Sequence, residues 1–274
     1  MNKTSNHRAR QRHTVASLVL LAAALIAGGC SSTGGAGGVP GESRAERLVV
    51  AGQHDEAARA YIGLASAASP QERDRLTLLA VEQWLEAGDV GRAQNAFKGV
   101  PQPANAELRT VWNTNAAALA LYEGNADAAL DILEPMSRQA LSERHRLRVD
   151  ELRADAWIQK GDPARAVELM THREIWLSDP ADIKQNRERL WQGLLLSNPQ
   201  VLRQSAESAI DPDVRGWLQI GSLAASTGQQ GIGWVNGAMR WRTANPSHPA
   251  MAVIDDLQLP DEFTLDYPRQ LALR

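Results

Sequence analysis

The side chains best suited to chemistry in this chain are one thiol and six imidazoles. Histidines that bind a metal from one helix stand three or four residues apart, so that both rings share a face. Two histidines fall within the first fourteen residues, and no such spacing links the other four: His54, His145, His172 and His248. Neither a glycine-rich phosphate loop nor a Gly-x-Ser-x-Gly nucleophile elbow occurs. The sequence therefore predicts no catalytic residue, no metal site and no cofactor, and the chain is not expected to be an enzyme.

Carboxylates occur in adjacent pairs, which suits a solvated surface better than acid–base catalysis. The pairs are Asp55-Glu56, Asp150-Glu151 and Asp255-Asp256. Neighbouring residues on a helix point in different directions, so we interpret each pair as part of a solvated face. His248 lies in the segment Asn-Pro-Ser-His-Pro-Ala, whose flanking prolines predict a turn.

The only thiol, Cys30, follows a segment with the three parts of a secretory signal. Residues 1–14 carry four basic side chains and no acid, and residues 15–27 are apolar except for one serine. This apolar run of 13 residues is too short for a membrane span, which needs roughly 20. The small residues Gly28 and Gly29 stand immediately before the cysteine, where a signal peptidase would cut.

Small residues that lead up to a cysteine resemble the bacterial lipoprotein signal, although Ala27 stands where leucine is commoner. The resemblance implies cleavage between Gly29 and Cys30 and transfer of a diacylglyceryl group to the Cys30 thiol. Acyl chains bind a bilayer through about 0.8 kcal/mol per buried methylene. Position two is Ser31 and not aspartate, which by resemblance to Gram-negative lipoproteins implies the outer membrane. The expected location is therefore its periplasmic face, through a lipid anchor.

The charge of the chain argues against nucleic acid as a partner. Removing residues 1–29, with four basic residues and no acid, changes the net charge from −3 to −7. A mildly acidic chain without a basic block binds nucleic acid poorly. Residues 30–43 are rich in glycine and serine and predict a flexible linker.

One sequence motif occurs four times, and its spacing predicts the fold. It reads AGQHDEAARAY at 51–61, AGDVGRAQNAF at 87–97, EGNADAALDIL at 123–133 and KGDPARAVELM at 160–170. The glycines are 36, 36 and 37 residues apart: Gly52, Gly88, Gly124 and Gly161. An alanine follows each glycine after five residues and a large apolar residue after nine: Ala57 and Tyr61, Ala93 and Phe97, Ala129 and Leu133, Ala166 and Met170. A fixed period of this size predicts a solenoid of helical hairpins.

Each copy contains the residue types that form a turn between two helices. Glycine accepts the left-handed backbone that ends a helix. Asp89, Asn125 and Asp162 stand where a side-chain oxygen can cap the next helix, and Pro163 takes a first helical position. The pattern is similar to the tetratricopeptide repeat, although its period exceeds 34 residues and the closing proline is absent. We predict an all-α, TPR-like solenoid of stacked antiparallel helical hairpins.

The repeated motif is no longer recognisable after residue 170, but helical patterns continue at 179–197, 199–209, 213–226 and 230–244. From residue 255 the pattern becomes short and extended, and residues 263–273 suit a strand. The expected organisation is a signal peptide (1–29), a linker (30–43), a TPR-like helical domain (44–254) and a short extended tail (255–274).

Eight tryptophans against two phenylalanines is an unusual ratio. Trp84 and Trp157 each stand four residues before a repeat glycine, which places them in the core. Other tryptophans are also assigned to the core: Trp112, Trp191, Trp217, Trp234 and Trp241. An alternative remains for Trp234 or Trp241, because an exposed tryptophan often anchors a protein partner.

Three motifs in the second half resemble the N-terminal domain of the LpoA lipoproteins, which activate a bifunctional (class A) penicillin-binding protein. They are Gln185-Asn186 with Trp191, then Gly216-Trp217-Leu218, then the segment from Pro246 to Ala250. With the signal and the repeats, the resemblance covers nearly the whole mature chain. It implies a class A penicillin-binding protein as the partner, with peptidoglycan as a further candidate.

In that family a two-lobed α/β domain follows the helical one. This chain ends at Gln-Leu-Ala-Leu-Arg, which looks like the opening of that second domain. We therefore expect a shortened chain, a separately encoded second domain or an independent role for the helical part. Two functions stay open: regulation of peptidoglycan synthesis, or a scaffold lipoprotein in outer-membrane assembly or secretion. Partner-contact residues cannot be assigned from sequence.

Overall fold

The computed structural model describes residues 41–256, which form α-helices and contain no β-strand. The predicted all-α class is therefore confirmed. A single 3-10 turn, Arg138–Ala140, interrupts the series. The helices are α1 (Glu42–Val50), α2 (His54–Ala65), α3 (Pro70–Glu86), α4 (Val90–Phe97), α5 (Ala106–Tyr122), α6 (Ala126–Leu133), α7 (Glu143–Lys160), α8 (Pro163–Glu174), α9 (Pro180–Leu196), α10 (Pro199–Ser208), α11 (Pro212–Thr227), α12 (Gly231–Ala244) and α13 (Met251–Asp256).

The first eight helices form four sequential hairpins that stack in the manner of tetratricopeptide repeats. Each odd-numbered helix packs against the even-numbered helix that follows it, and α3, α5 and α7 contact one another in turn. Beyond α8 the order changes, because α9 packs against both α8 and α11 while α10 pairs with α11. The regular stacking thus ends where the repeated motif is no longer recognisable in the sequence.

The repeat turns have the backbone that the glycines predict. The φ angles of Gly52, Gly88, Gly124 and Gly161 lie between 70° and 82°, in the left-handed region. After three of these glycines, a side-chain oxygen accepts a hydrogen bond from the backbone N–H three residues on: Asp89 from Arg92, Asn125 from Ala128 and Asp162 from Arg165. Each cap satisfies one of the N–H groups that a helix start leaves without an intrahelical partner.

We expect Gly161→Ala to lower the free energy of unfolding by about 1–2 kcal/mol, because a Cβ is disfavoured at a φ of 82°. An added Cβ would meet no atom within 4 Å, so the cost isolates backbone strain. Gly63→Ala is the matched control, since Gly63 lies inside α2 with open space around it. Urea denaturation should show that change to be neutral or stabilising, by up to about 1 kcal/mol.

Helix packing depends on the small residue of each repeat. Ala57, Ala93, Ala129 and Ala166 are all fully buried. Neighbouring odd-numbered helices are also joined by side chains that donate hydrogen bonds to a carbonyl of the preceding repeat. Asn115 donates to Leu78 at 2.9 Å, and the Tyr122 hydroxyl donates to Leu85 at 3.0 Å.

Two hydrophobic clusters make up the core, and they meet at α7. The first extends from Ala45 to Ala156 and the second from Ala154 to Ile254. Trp157, at the C-terminal end of α7, packs against both. Trp157 is half-buried, and the Arg165 guanidinium lies 4.4 Å from the centroid of its ring.

Two domain boundaries differ from the sequence prediction. Helix α1 begins at Glu42, inside the segment assigned to the linker, because the Glu42 carboxylate pairs with Arg75 of α3 at 2.7 Å. Helix α13 continues through Asp256, so the extended pattern expected from residue 255 is wrong for its first two residues. An ion pair of 3.1 Å between Asp255 and Arg242 links α13 to α12. The signal, Cys30 and the predicted strand at 263–273 lie outside the described residues.

Within the described range, none of the helices is both long enough and apolar enough to cross a membrane.

Candidate protein-interaction surfaces

The four described histidines lie in four separate environments. Nδ1 of His54 is 2.8 Å from Oε1 of Gln83, and Nδ1 of His145 is 3.1 Å from the Ser142 hydroxyl that caps α7. His172 is exposed, whereas His248 is buried. Across residues 41–256, histidines, cysteines and carboxylates form no group of three that could hold a metal ion. Within this part of the chain, the four histidines are therefore not brought together into a metal site.

A groove of about 520 Å³ is lined mostly by charged and polar side chains. Helices α3, α7 and α9 form most of it, and Val49 and His54 also line it. Ion pairs cross it from helix to helix: Arg148 lies 2.7 Å from Glu86 of α3, and Arg189 of α9 lies 3.7 Å from Glu151. Charges of both signs are exposed here, so the groove suits a polar protein segment better than an apolar one.

A buried arginine supports the floor of this groove. Arg173 of α8 pairs with Glu151, donates to the Asn186 amide oxygen at 2.6 Å and donates to the Leu147 carbonyl at 3.3 Å. Asn186 in turn donates to the Met170 carbonyl at 3.1 Å. These hydrogen bonds and the ion pair link α7, α8 and α9. The Gln185-Asn186 motif therefore has a structural role through Asn186.

The solvated-face interpretation is wrong for Asp150-Glu151. Asp150 is completely buried, with Nη1 of Arg153 at 3.9 Å, and Glu151 is surrounded by three arginines. Helix α7 packs against α5, α6, α8 and α9, so helices cover more than one of its faces. The sequence gives no local sign of that enclosure.

His248 is more than a turn residue, because its ring fills a space between α11 and α12. Nε2 donates to the Asp213 carbonyl at 2.8 Å, while Nδ1 accepts from the Ala250 N–H at 3.1 Å. The ring meets Trp217 and Trp241 edge-on, with centroids 5.8 and 5.0 Å away. The second and third motifs of the family resemblance thus pack against each other.

We expect the free energy of unfolding to fall as the pH drops below about 6.5, because burial lowers the pKa of His248 from its ordinary value. In the window between the folded pKa and the ordinary value, the unfolded chain binds a proton that the folded chain resists. The stabilisation is therefore complete above that window and is lost as the pH falls through it. Burial also lowers the pKa of His145, which adds a contribution of the same sign.

Denaturant titrations between pH 5.5 and 7.5 measure this slope. His248→Gln should flatten it, and His145→Gln should flatten it further. His172→Gln, at an exposed position, controls for the loss of an imidazole. An unchanged slope in His248→Gln would contradict the assignment.

Trp176, which the repeat pattern does not place, is exposed, and Trp112, which was assigned to the core, is only half-buried. Trp176 is 54% exposed and Ile175 is 75% exposed, immediately after α8 ends. Cζ of Arg146 lies 5.5 Å from the Trp176 ring centroid. Trp234 and Trp241 are buried, so the alternative that made one of them an exposed anchor is wrong. The available signal was positional, since Trp176 falls between two helical patterns.

Known proteins are similar to this chain in sequence, and others are similar to it in fold. The penicillin-binding protein activator LpoA of Photobacterium profundum is 23% identical over 252 residues, which are 91% of this chain and 40% of that protein. The LpoA of Erwinia tasmaniensis is 25% identical over 89% of this chain and 35% of its own length. The chain thus spans well under half the length of these curated relatives.

The solved N-terminal domain of Haemophilus influenzae LpoA has the same fold, with a TM-score of 0.58 and 18% identity over 74% of this chain and 92% of that domain. Full-length LpoA from the same organism matches over 72% of this chain and 36% of its own, with a TM-score of 0.55. The resemblance to LpoA proposed from the three motifs is confirmed, and it covers the N-terminal domain. The family model described as "LppC putative lipoprotein" matches residues 53–267, and the chain belongs to this LppC family.

Proposed function

We propose that this chain is a non-catalytic lipoprotein that binds and activates a class A penicillin-binding protein at the periplasmic face of the outer membrane. The observation that carries the proposal is the LppC family match across the helical repeats, together with relatives named as penicillin-binding protein activators. Because the chain spans about 40% of the first of these relatives, the activity of the whole protein is part of the proposal.

Two features of the helical domain support binding over catalysis. Stacked hairpins offer extended surfaces that suit protein partners. The buried polar groups described above also have structural roles: Arg173 joins three helices, and His248 fills a gap between two. A catalytic site instead needs several polar groups aimed at one point in a cleft.

The partner is tested with purified proteins. The mature chain, with Cys30→Ser to keep it soluble, is titrated into a class A penicillin-binding protein from the same envelope. We expect saturable binding and faster glycan polymerisation or crosslinking by the synthase. Binding without a rate change would remove activation from the proposal. If the synthase does not bind while crosslinking in cells captures assembly or secretion machinery, the scaffold function replaces it.

The anchor is tested at Cys30, for which we propose acylation after cleavage between Gly29 and Cys30, followed by a linker that reaches to about residue 41. Cys30→Ser should abolish palmitate labelling and release the protein from membranes, because the acyl chains supply the binding energy. Ser31→Asp is the matched control: it should keep the label and move the protein to the inner membrane. Palmitate incorporation into Cys30→Ser would contradict the site.

A further inference from the structure

We propose that Ile175, Trp176 and Arg146, which we call the α8 corner, form a docking surface for a protein segment that presents an apolar side chain beside a carboxylate. The proposal deepens the proposed function and rests on it only for the identity of the partner. Its starting point is the pair of large apolar side chains that remain exposed at the end of α8. Tryptophan and arginine are the side chains that most often dominate binding energy at interfaces.

A small cavity adjoins the α8 corner, and Ile175 is part of both. The cavity measures about 230 Å³, and its apolar wall consists of Met170, Ile175, Leu190, Trp217 and Pro249. That volume lies below the range of about 300–1,000 Å³ typical of small-molecule pockets, and it suits one side chain of a protein partner. An apolar residue seated there would contact the buried side chains of Met170, Leu190 and Trp217, and such contacts are typical of an interface hot spot.

The positive charge of Arg146 favours a carboxylate beside the apolar residue of the partner. The Arg146 guanidinium lies over the Trp176 ring, and no carboxylate pairs with it among the described ion pairs. At the rim of the cavity the other arginine, Arg187, is already paired with Glu174, with Nε at 3.0 Å from Oε2. A carboxylate on the partner would therefore find Arg146 available, held in place by its cation–π contact.

The first test uses the mature chain and a purified class A penicillin-binding protein as the probe. Trp176→Ala should weaken binding by about ten-fold or more, as expected of a hot spot. Arg146→Glu should also weaken binding, and the loss of affinity should be larger at low salt than at high salt. Ile232→Ser is the matched control, because Ile232 is also exposed, at 66%, but lies on α12. Equal affinity of the Trp176→Ala variant and the Ile232→Ser variant would overturn the docking surface for this partner.

The second test does not depend on the synthase. The photo-crosslinker p-benzoylphenylalanine is placed in cells at Ser178, beside the corner, or at Ser226, an exposed serine of α11. We expect Ser178 alone to capture a partner, identified by mass spectrometry, and Arg146→Glu to abolish the capture. If the synthase fails to bind but this capture succeeds, the proposed function fails and the surface stands. If Ser178 captures nothing beyond Ser226, the surface is overturned whatever the synthase does.

Discussion

Replacing Arg173 with methionine is expected to lower the free energy of unfolding by about 3 kcal/mol. Methionine keeps much of the apolar stem but removes the guanidinium. The Asn186 amide oxygen and the Leu147 carbonyl then lose their donor in a buried setting, and Glu151 loses one of its three arginines. The remaining partners of Glu151, Arg148 and Arg189, keep the cost near the lower end of the range for broken buried ion pairs.

Arg59→Met is the matched control for this variant. Arg59 also pairs with a carboxylate, Asp55, but its side chain is 63% exposed. Exposed ion pairs contribute about 0–1 kcal/mol, so urea denaturation should show little change. If Arg173→Met cost no more than Arg59→Met, the guanidinium could not be the group that joins α7, α8 and α9.

Arg173 also lies where the two hydrophobic clusters meet, which gives the variant a second readout. Helix α7 contributes Leu152 to the first cluster and Ala154 to the second. Loosening α7 from α8 and α9 should therefore let the second half unfold separately. We expect a broader transition with a smaller dependence on denaturant in Arg173→Met than in Arg59→Met.

Features that depend on nearby residues could be predicted from the sequence. Gly161, Asp162 and Pro163 define the turn into α8 through backbone preferences and one capping hydrogen bond, all within a few residues. Ala93 and its equivalents in the other repeats are all small, so the close helix contact is visible as a pattern. The hairpins and their boundaries, to within a few residues, follow from such local signals.

Features that depend on distant residues could not be predicted. Asp150 looks like any surface acid, because its burial comes from neighbours that are not adjacent in sequence. His248 carries the correct signal for a turn, yet its ring enters the core because Gly216 leaves room for it 32 residues earlier in the sequence. Trp176 lies outside every helical pattern of the sequence, and its ring is exposed in the structure.

Gly216→Ala is expected to cost about 3 kcal/mol, because the new Cβ would lie 2.3 Å from Nε2 of His248 and 2.5 Å from Cδ2. Overpacking of this kind costs about 1–3 kcal/mol. The ring must also leave the Asp213 carbonyl, and a lost hydrogen bond adds about 1 kcal/mol. Gly233→Ala in α12 is the matched control, since its Cβ would meet nothing within 4 Å. Thermal and urea denaturation should show that change to be neutral or slightly stabilising.

A double-mutant cycle separates this clash from a general effect on α11. His248→Ala removes the ring, and therefore the atoms that a Cβ at residue 216 would strike. In that background Gly216→Ala should cost less than about 1 kcal/mol, so the two changes together should be milder than the sum of each alone. The coupling would show that Gly216 is required by the histidine that packs on it, because glycine at a helix interior otherwise costs stability relative to alanine. Additive costs would mean that α11 tolerates no side chain at residue 216 for a reason unrelated to His248.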